Sequence, residues 1–293
     1  MRLLRKILTK LAVVVGVVLL GGLITATLVR YSPGFGVDER ELDPRLSAQS
    51  VELLRQANAH QRNIVFVYFD YLRAAAHGDL GRSRLLDQPV TTLLRQRLPL
   101  TMASVAVGLF ISWTASLGVA LLLAGTRKTW ADAGASSLAG LLISIPTGVL
   151  TLLLMLAHQP CSAIIALVLF PRLFRYSRNI LLKSGAAPHI VAARARGVGP
   201  VRLLARHVVW PAVPQLIALA GVSVSAALGA AIPVEVFADS PGVGHLAWEA
   251  ALGRDLPLLV TITVLVTSVT LLANGASDVL NDGLNDAFGE QHA

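Results

Sequence analysis

The chain has 293 residues, of which 54% are apolar and only 14% charged, and its mean hydropathy is +0.66. Soluble domains carry about 25% charged residues, so this composition favours a membrane protein and excludes a disordered chain. The single cysteine, Cys161, excludes a scaffold held together by disulfide bonds. The net charge of +8 is concentrated in short segments, which indicates membrane topology rather than a nucleic-acid partner.

Six segments are predicted to cross a membrane. A crossing helix needs about 20 apolar residues, and five stretches without Lys, Arg, His, Asp or Glu approach or exceed that length. A sixth, residues 159–171, is short and reaches spanning length only by continuing through Tyr176, with its arginines snorkelling to the interface. The predicted spans are residues 11–29, 98–126, 133–157, 159–176, 208–234 and 256–277.

The first span has an alternative interpretation as the core of a signal peptide, because four basic residues precede it. Signal cores run about 7–15 residues, whereas residues 11–29 form a longer stretch with no small-x-small cleavage site after it. We therefore predict a retained N-terminal anchor helix over residues 1–30.

The charge distribution predicts the topology. Short basic segments stay in the cytoplasm, and residues 172–206 hold eight basic and no acidic residues. Six spans place this segment and both termini in the cytoplasm, whereas five spans would separate it from the basic loop 127–132. The predicted domains are the anchor helix 1–30, an extracytoplasmic loop region 31–97, and a core 98–293 with five further spans.

The longest predicted cytoplasmic segment, residues 179–210, has a short helix between two breaks. Residues 185–188 (GAAP) end the preceding helix, residues 189–196 have a helical composition, and residues 197–200 (GVGP) end it again. A second helix is predicted from Val201 to Val209. Small alanines allow close approach and arginines supply directional donors, so this short helix is suited to dock into another protein. The alternative is a basic loop that only enforces topology.

The same segment carries a family resemblance. Residues 193–197 (ARARG) and 203–207 (LLARH) resemble the cytoplasmic EAA loop of binding-protein-dependent ABC importers, in the version of the dipeptide, oligopeptide and nickel permeases. Other short sequences resemble this family in the same order along the chain: residues 78–83 (GDLGRS), 97–101 (RLPLT), 144–146 (SIP), 234–237 (VEVF), 241–244 (PGVG) and 254–257 (RDLP). The resemblance covers nearly the whole chain.

This resemblance implies an all-α membrane protein with six transmembrane helices, an extracytoplasmic loop after the first, and a coupling loop between the fourth and fifth. It implies a permease subunit of an ATP-binding-cassette importer in the bacterial inner membrane, forming half of the pore for a small solute such as a di- or oligopeptide. Its partners would be a second permease, two cytoplasmic ATPases and an extracytoplasmic solute-binding protein, with no cofactor. The residues implied to couple to the ATPase are Val191, Ala192, Ala193, Arg194, Ala195, Arg196 and Gly197.

Two features depart from the family pattern. Val191 stands where the generic EAA pattern has glutamate, and the outer connection between spans three and four is reduced to residues 158–160.

In the region 31–97, two amphipathic helical segments are predicted near residues 51–57 and 66–72. They indicate either a lid or scaffold for the binding protein or a cap over helix ends.

A second candidate site lies at the predicted outer end of the fifth span. Glu235 and Asp239 are ionisable groups near a span end, where such groups line substrate paths or lie solvated at the interface. Pro241, Gly242 and Gly244 predict a backbone turn beside them. Further on, the pair Arg254–Asp255 predicts a local ion pair or a helix cap.

Rival functions have less support in the sequence. None of the four lysines follows a glycine, so there is no G-x-x-x-x-G-K-[ST] phosphate loop and ATP hydrolysis would belong to a partner. The motifs H-E-x-x-H and G-x-S-x-G are also missing, which argues against an intramembrane enzyme. A proton-coupled secondary transporter and a divergent, non-transporting membrane scaffold stay open as alternatives.

Overall fold

The computed structural model describes residues 2–31, 64–126 and 129–290, and within these ranges the chain is helical apart from turns and one isolated bridge between Arg82 and Pro89. The predicted all-α class is therefore confirmed for the described residues. The helices are α1 (Arg2–Tyr31), α2 (Ile64–Ala76), α3 (Val90–Thr126), α4 (Thr129–Ser144), α5 (Thr147–Leu156), α6 (Cys161–Gly185), α7 (Pro188–Ala195), α8 (Pro200–Phe237), α9 (Val243–Leu252) and α10 (Leu256–Glu290).

Three described helices are long and apolar enough to cross a membrane: α3, α8 and α10. A fourth crossing is formed if α4 and α5 act together, although they are bent by 98° at their junction. The predicted count of six spans is thus not confirmed. The helix α6 carries three arginines within its apolar stretch, and the described apolar part of α1, Val15–Val29, is shorter than a full crossing.

The predicted third span, residues 133–157, is broken rather than continuous. Pro146 lacks an N–H group and disfavours helical geometry at Ile145, so α4 ends at Ser144 and α5 begins at Thr147. The bend between α4 and α5 is 98°, so the prediction of one continuous span over residues 133–157 is wrong at this proline.

The chain divides into two compact units, and the first comprises Met1–Pro99 and Leu246–Ser268. Its core includes Ala26, Tyr68 and Val260. The hydroxyl of Tyr68 donates to the carbonyl of Leu19 at 2.8 Å, and the Tyr71 and Thr261 hydroxyls bond at 2.6 Å. Burial raises the pKa of the Tyr71 hydroxyl, which therefore stays neutral as a hydrogen-bonding group. The predicted helical segment near residues 66–72 is found within α2, while that near residues 51–57 lies outside the described residues.

The second unit comprises Leu100–His245 and Val269–Ala293. In it, α6 packs against both α8 and α4, and the side chains of Arg178 on α6 and Asp132 on α4 form a two-pronged ion pair. The core of this unit also contains side chains of the short helix α7. Its buried members are Ala120, Ala139, Phe174, Leu181, Ile190, Ala193, Leu203, Val208 and Ala212.

Candidate functional site

The short helix α7 is defined at both ends by local backbone chemistry. Pro188 occupies its first turn, where a missing N–H costs nothing, and Ala187 before it is extended. At the other end, Gly197 has a φ of +77°, its N–H donates to the Arg194 carbonyl at 2.9 Å, and the Val198 N–H donates to the Ala193 carbonyl at 3.2 Å. This pair of bonds is a Schellman cap. The predicted helix over residues 189–196 is therefore confirmed, within one residue at each end.

One face of α7 is buried and the other is exposed. Ile190 and Ala193 are only 2% and 1% exposed and lie in the core of the second unit. Val191, by contrast, is 69% exposed. Of the seven residues predicted to couple to an ATPase, one, Ala193, is buried, and the exposed ones are Val191, Ala192, Arg194, Ala195, Arg196 and Gly197. The helix and its C-terminal cap residue thus expose two guanidinium groups, those of Arg194 and Arg196, beside small alanine side chains.

Two side-chain hydrogen bonds connect the α7 region to the start of α8. The Ser184 hydroxyl, at the end of α6, donates to the Val208 carbonyl at 2.7 Å. The Nε2 atom of His189 lies 3.0 Å from the His207 carbonyl, and because a carbonyl only accepts, this nitrogen carries the proton. The sequence analysis assigned no role to the two donors, Ser184 and His189. One feature of the sequence could have pointed to the His189 bond: Pro211 has no N–H to donate to the His207 carbonyl.

The second candidate site is built around the carboxylate of Glu235, near the end of α8. This side chain is only 1% exposed and accepts hydrogen bonds from the backbone N–H groups of Gly244, at 2.7 Å, and His245, at 3.4 Å. The Thr101 hydroxyl bonds it as well and accepts the Val243 N–H at 2.7 Å. The carboxylate therefore caps the N-terminus of α9, where a negative charge is favoured by the helix dipole.

The other residues predicted for this site are distributed differently. Gly242 and Gly244 are buried directly against Glu235, and a Cβ atom at either position would overlap its carboxylate. The side chain of Asp239 is 95% exposed, with His245 Nε2 3.8 Å from its carboxylate, and Pro241 is exposed. The structure brings Glu235 together with the two glycines, and Asp239 lies outside this network. A role of these residues in a substrate path stays a prediction.

A third polar cluster lies in the first compact unit and involves two of the sequence motifs. Asp255, which is fully buried, accepts the Ser83 hydroxyl at 2.6 Å and the Leu85 N–H at 3.1 Å. Its other oxygen accepts the Leu258 N–H at 3.3 Å in the first turn of α10. Of the two roles predicted for residues 254–255, the helix cap is confirmed for Asp255. No group of three or more His, Cys, Asp or Glu side chains within the described ranges could hold a metal ion.

Comparison with known proteins gives the family. Residues 116–288, more than half of the chain, match the family described as "Binding-protein-dependent transport system inner membrane component". The chain belongs to this family. It is 25% identical over 307 aligned positions to a peptide transport system permease protein of Brucella abortus (strain 2308), covering 94% of the chain and 95% of that protein. It is 22% identical over 299 aligned positions to the nickel import system permease protein NikB of Staphylococcus aureus (strain USA300). This alignment covers 96% of the chain and 90% of that protein.

The family match includes the helix α7, the Glu235 cap and Asp255 of this permease, whereas Ser83 and α2 precede it. The relatives, however, align over nearly the full chain. The features that define α7 therefore belong to the part of the permease that the family shares.

Replacing Gly197 with alanine is expected to destabilise the end of α7 in this permease by about 1 kcal/mol. A left-handed conformation costs an L-residue about 1–2 kcal/mol, and the open space around Gly197 leaves this as the main effect. The measurement is hydrogen exchange of the α7 amides in the detergent-solubilised protein, which should be faster in the variant than in the native chain. Gly199→Ala is the matched control, because Gly199 also lies in open space but has a φ of −62°. Equal exchange in both variants would contradict the cap.

Proposed function

We propose that this chain is the transmembrane subunit of an ATP-driven importer, that it forms half of a translocation pore, and that α7 couples it to separate ATPase subunits. The observation that carries the proposal is the geometry of α7. A helix of eight residues has one face buried in the core, while its other face exposes Arg194 and its C-terminal cap residue exposes Arg196. The chain itself has no phosphate loop. Such a helix can pass a force from a docked partner into the core.

The proposed topology follows the charge distribution. Six spans place both termini and residues 179–210 in the cytoplasm, and the loop region 31–97 outside. In this arrangement α6 is the fourth span, with its arginines at the cytoplasmic interface, and α1 is the anchor helix of residues 1–30. The core of residues 98–293 then holds the other five spans, and the protein lies in the bacterial inner membrane.

The transported solute is proposed to be small, and a di- or oligopeptide is the first candidate. Relatives named for peptide transport and for nickel import support this class. The proposed partners are a second permease subunit, two cytoplasmic ATPases and an extracytoplasmic solute-binding protein. These partners supply the ATP hydrolysis that the chain itself has no motif to perform.

The first experiment is purification of the tagged chain from its own membranes in mild detergent, with mass spectrometry of every co-purifying subunit. The proposal expects a second permease and ATPase subunits in defined proportion. Recovery of the chain alone, or as a homo-oligomer without an ATPase, would contradict it and would favour the proton-coupled secondary transporter. The binding protein encoded with the recovered subunits can then be screened for its ligand.

Reversing one charge on the exposed face of α7 is expected to uncouple the importer. Arg194→Glu places a carboxylate where a directional cation is proposed to meet the ATPase, and we expect at least a ten-fold loss of uptake, as for a close charge pair at an interface. The measurement is uptake together with the amount of ATPase that co-purifies. Arg95→Glu makes the same charge change on α3, on the face proposed to be outside, and should leave both unchanged. Normal uptake in Arg194→Glu would rule out this role of α7.

A further inference from the structure

The start of α8 has an unusual backbone register. Residues Leu203–Val209 form a π-helix, and the Trp210 N–H donates to the carbonyl of Ala205, five residues back. The next residue, Pro211, has no N–H group. In a regular α-helix residue 211 would donate to the carbonyl of His207, so this helix offers that carbonyl no such donor. A carbonyl that lacks its α-helical donor is open to a side-chain donor.

The partner is His189, the second residue of α7, whose Nε2–H donates to the His207 carbonyl at 3.0 Å. The next carbonyl of α8, that of Val208, accepts the hydroxyl of Ser184 at 2.7 Å. Two successive carbonyls at the start of α8 are therefore bonded by side chains that precede them by 18 and 24 residues. Of these two donors, only His189 lies on α7.

The covalent link from α7 to α8 is short and contains two glycines. Only residues 196–199 separate the helices, and Gly197 and Gly199 both lie in open space. Glycine permits more backbone conformations than other residues, and the Schellman bonds at Gly197 and Val198 hold the start of this link to α7 rather than to α8. The packing of Ile190 and Ala193 in the core is apolar and therefore non-directional. The His189 bond is directional, so it orients α7 toward one backbone acceptor on α8.

We propose that His189 is a positioning residue that ties α7 to the π-helical start of α8, so that a displacement of α7 is passed to the long helix that follows. Because Pro211 has no N–H, the His207 carbonyl lacks its α-helical donor and can accept this bond. The inference rests on the proposed function, because it concerns how a force applied to α7 reaches α8. It adds a specific residue and a specific backbone acceptor to that function.

The test compares three substitutions in the complete importer, reconstituted with the subunits that co-purify with the chain. The readout is solute uptake per ATP hydrolysed. His189→Gln places an amide N–H at the position of Nε2 and should retain the native ratio, whereas His189→Asn places it at the position of Nδ1. His189→Phe keeps the ring shape without a donor. We expect the ratio to fall about five-fold in the asparagine and phenylalanine variants, the size of effect that a single net hydrogen bond supports.

A second substitution separates positioning from simple satisfaction of the carbonyl. Pro211→Ala returns an N–H to the helix and can satisfy the His207 carbonyl without connecting it to α7. In the double variant His189→Phe with Pro211→Ala, we expect a higher thermal midpoint than in His189→Phe alone, because the His207 carbonyl again has a donor. The uptake per ATP should stay as low as in His189→Phe. Recovery of coupling in this double variant, or a native ratio in both the asparagine and the phenylalanine single variants, would overturn the inference and leave the proposed function standing. Failure of the native chain to associate with an ATPase would overturn both.

Discussion

Replacing Asp255 with alanine is expected to destabilise the protein by about 3–4 kcal/mol. The carboxylate is fully buried and accepts three hydrogen bonds, from the Ser83 hydroxyl and from the N–H groups of Leu85 and Leu258. Losing a helix cap costs about 1 kcal/mol, and each buried donor left without an acceptor costs about 1–3 kcal/mol, with incomplete additivity. The measurement is the thermal midpoint of the chain purified in detergent.

Two variants serve as controls for this prediction. Ser83→Ala removes one donor and leaves the carboxylate its two backbone partners, so the loss should be about 1 kcal/mol. Asp255→Asn keeps the shape and one acceptor oxygen and should lie between the two alanine variants. If Asp255→Ala were no more damaging than Ser83→Ala, Asp255 would not be the group that organises this cluster.

The parts of the structure that the sequence predicted well are those defined by neighbouring residues. The bounds of α7 follow from Pro188 at its first position and from Gly197 after its end, and both act on the backbone within a few residues. The order of the family motifs indicated the family correctly, because a sequence of weak motifs along the whole chain is specific even when each one is not. The long apolar stretches of α3, α8 and α10 were equally clear.

The pairings between distant residues could not be predicted in the same way. Residues 78–83 and 254–257 were recognised as separate motifs, and only the structure shows that Ser83 and Asp255 bond to each other. A single sequence carries no signal that pairs two residues 172 positions apart. The same limit applies to His189 and the His207 carbonyl, since a backbone acceptor leaves no trace in residue identity.

The effect of proline on the helices was predicted only in part. A short helix was predicted over residues 201–209, leading into the span over residues 208–234. The structure has one helix through both, with a π-helical register before Pro211 that was not predicted. At Pro146, within the span predicted over residues 133–157, the structure has a full break. A proline removes one donor and restricts its neighbour, but the surrounding packing decides how the chain accommodates it.

Replacing Gly244 with alanine is expected to destabilise the start of α9 by about 3 kcal/mol and to abolish uptake. The added Cβ would lie 2.7 Å from the Cα atom of Ile232 and 2.9 Å from Oε2 of Glu235, and the Ile232 backbone belongs to α8 and cannot move aside. Overpacking costs about 1–3 kcal/mol, and the displaced helix would also lose the bond from its N–H to Glu235. Thermal unfolding and uptake measure the two effects.

The matched control is Gly229→Ala on α8, where a Cβ would meet nothing within 4 Å and alanine is the better helix former. It should unfold at or above the native temperature, and an equal loss in both variants would contradict the close packing at Gly244. Glu235→Gln separates the two roles of that carboxylate, since an amide oxygen can still accept the Gly244 N–H. If the charge of Glu235 also serves a substrate path, this variant should lose uptake of cationic solutes while its thermal midpoint changes little.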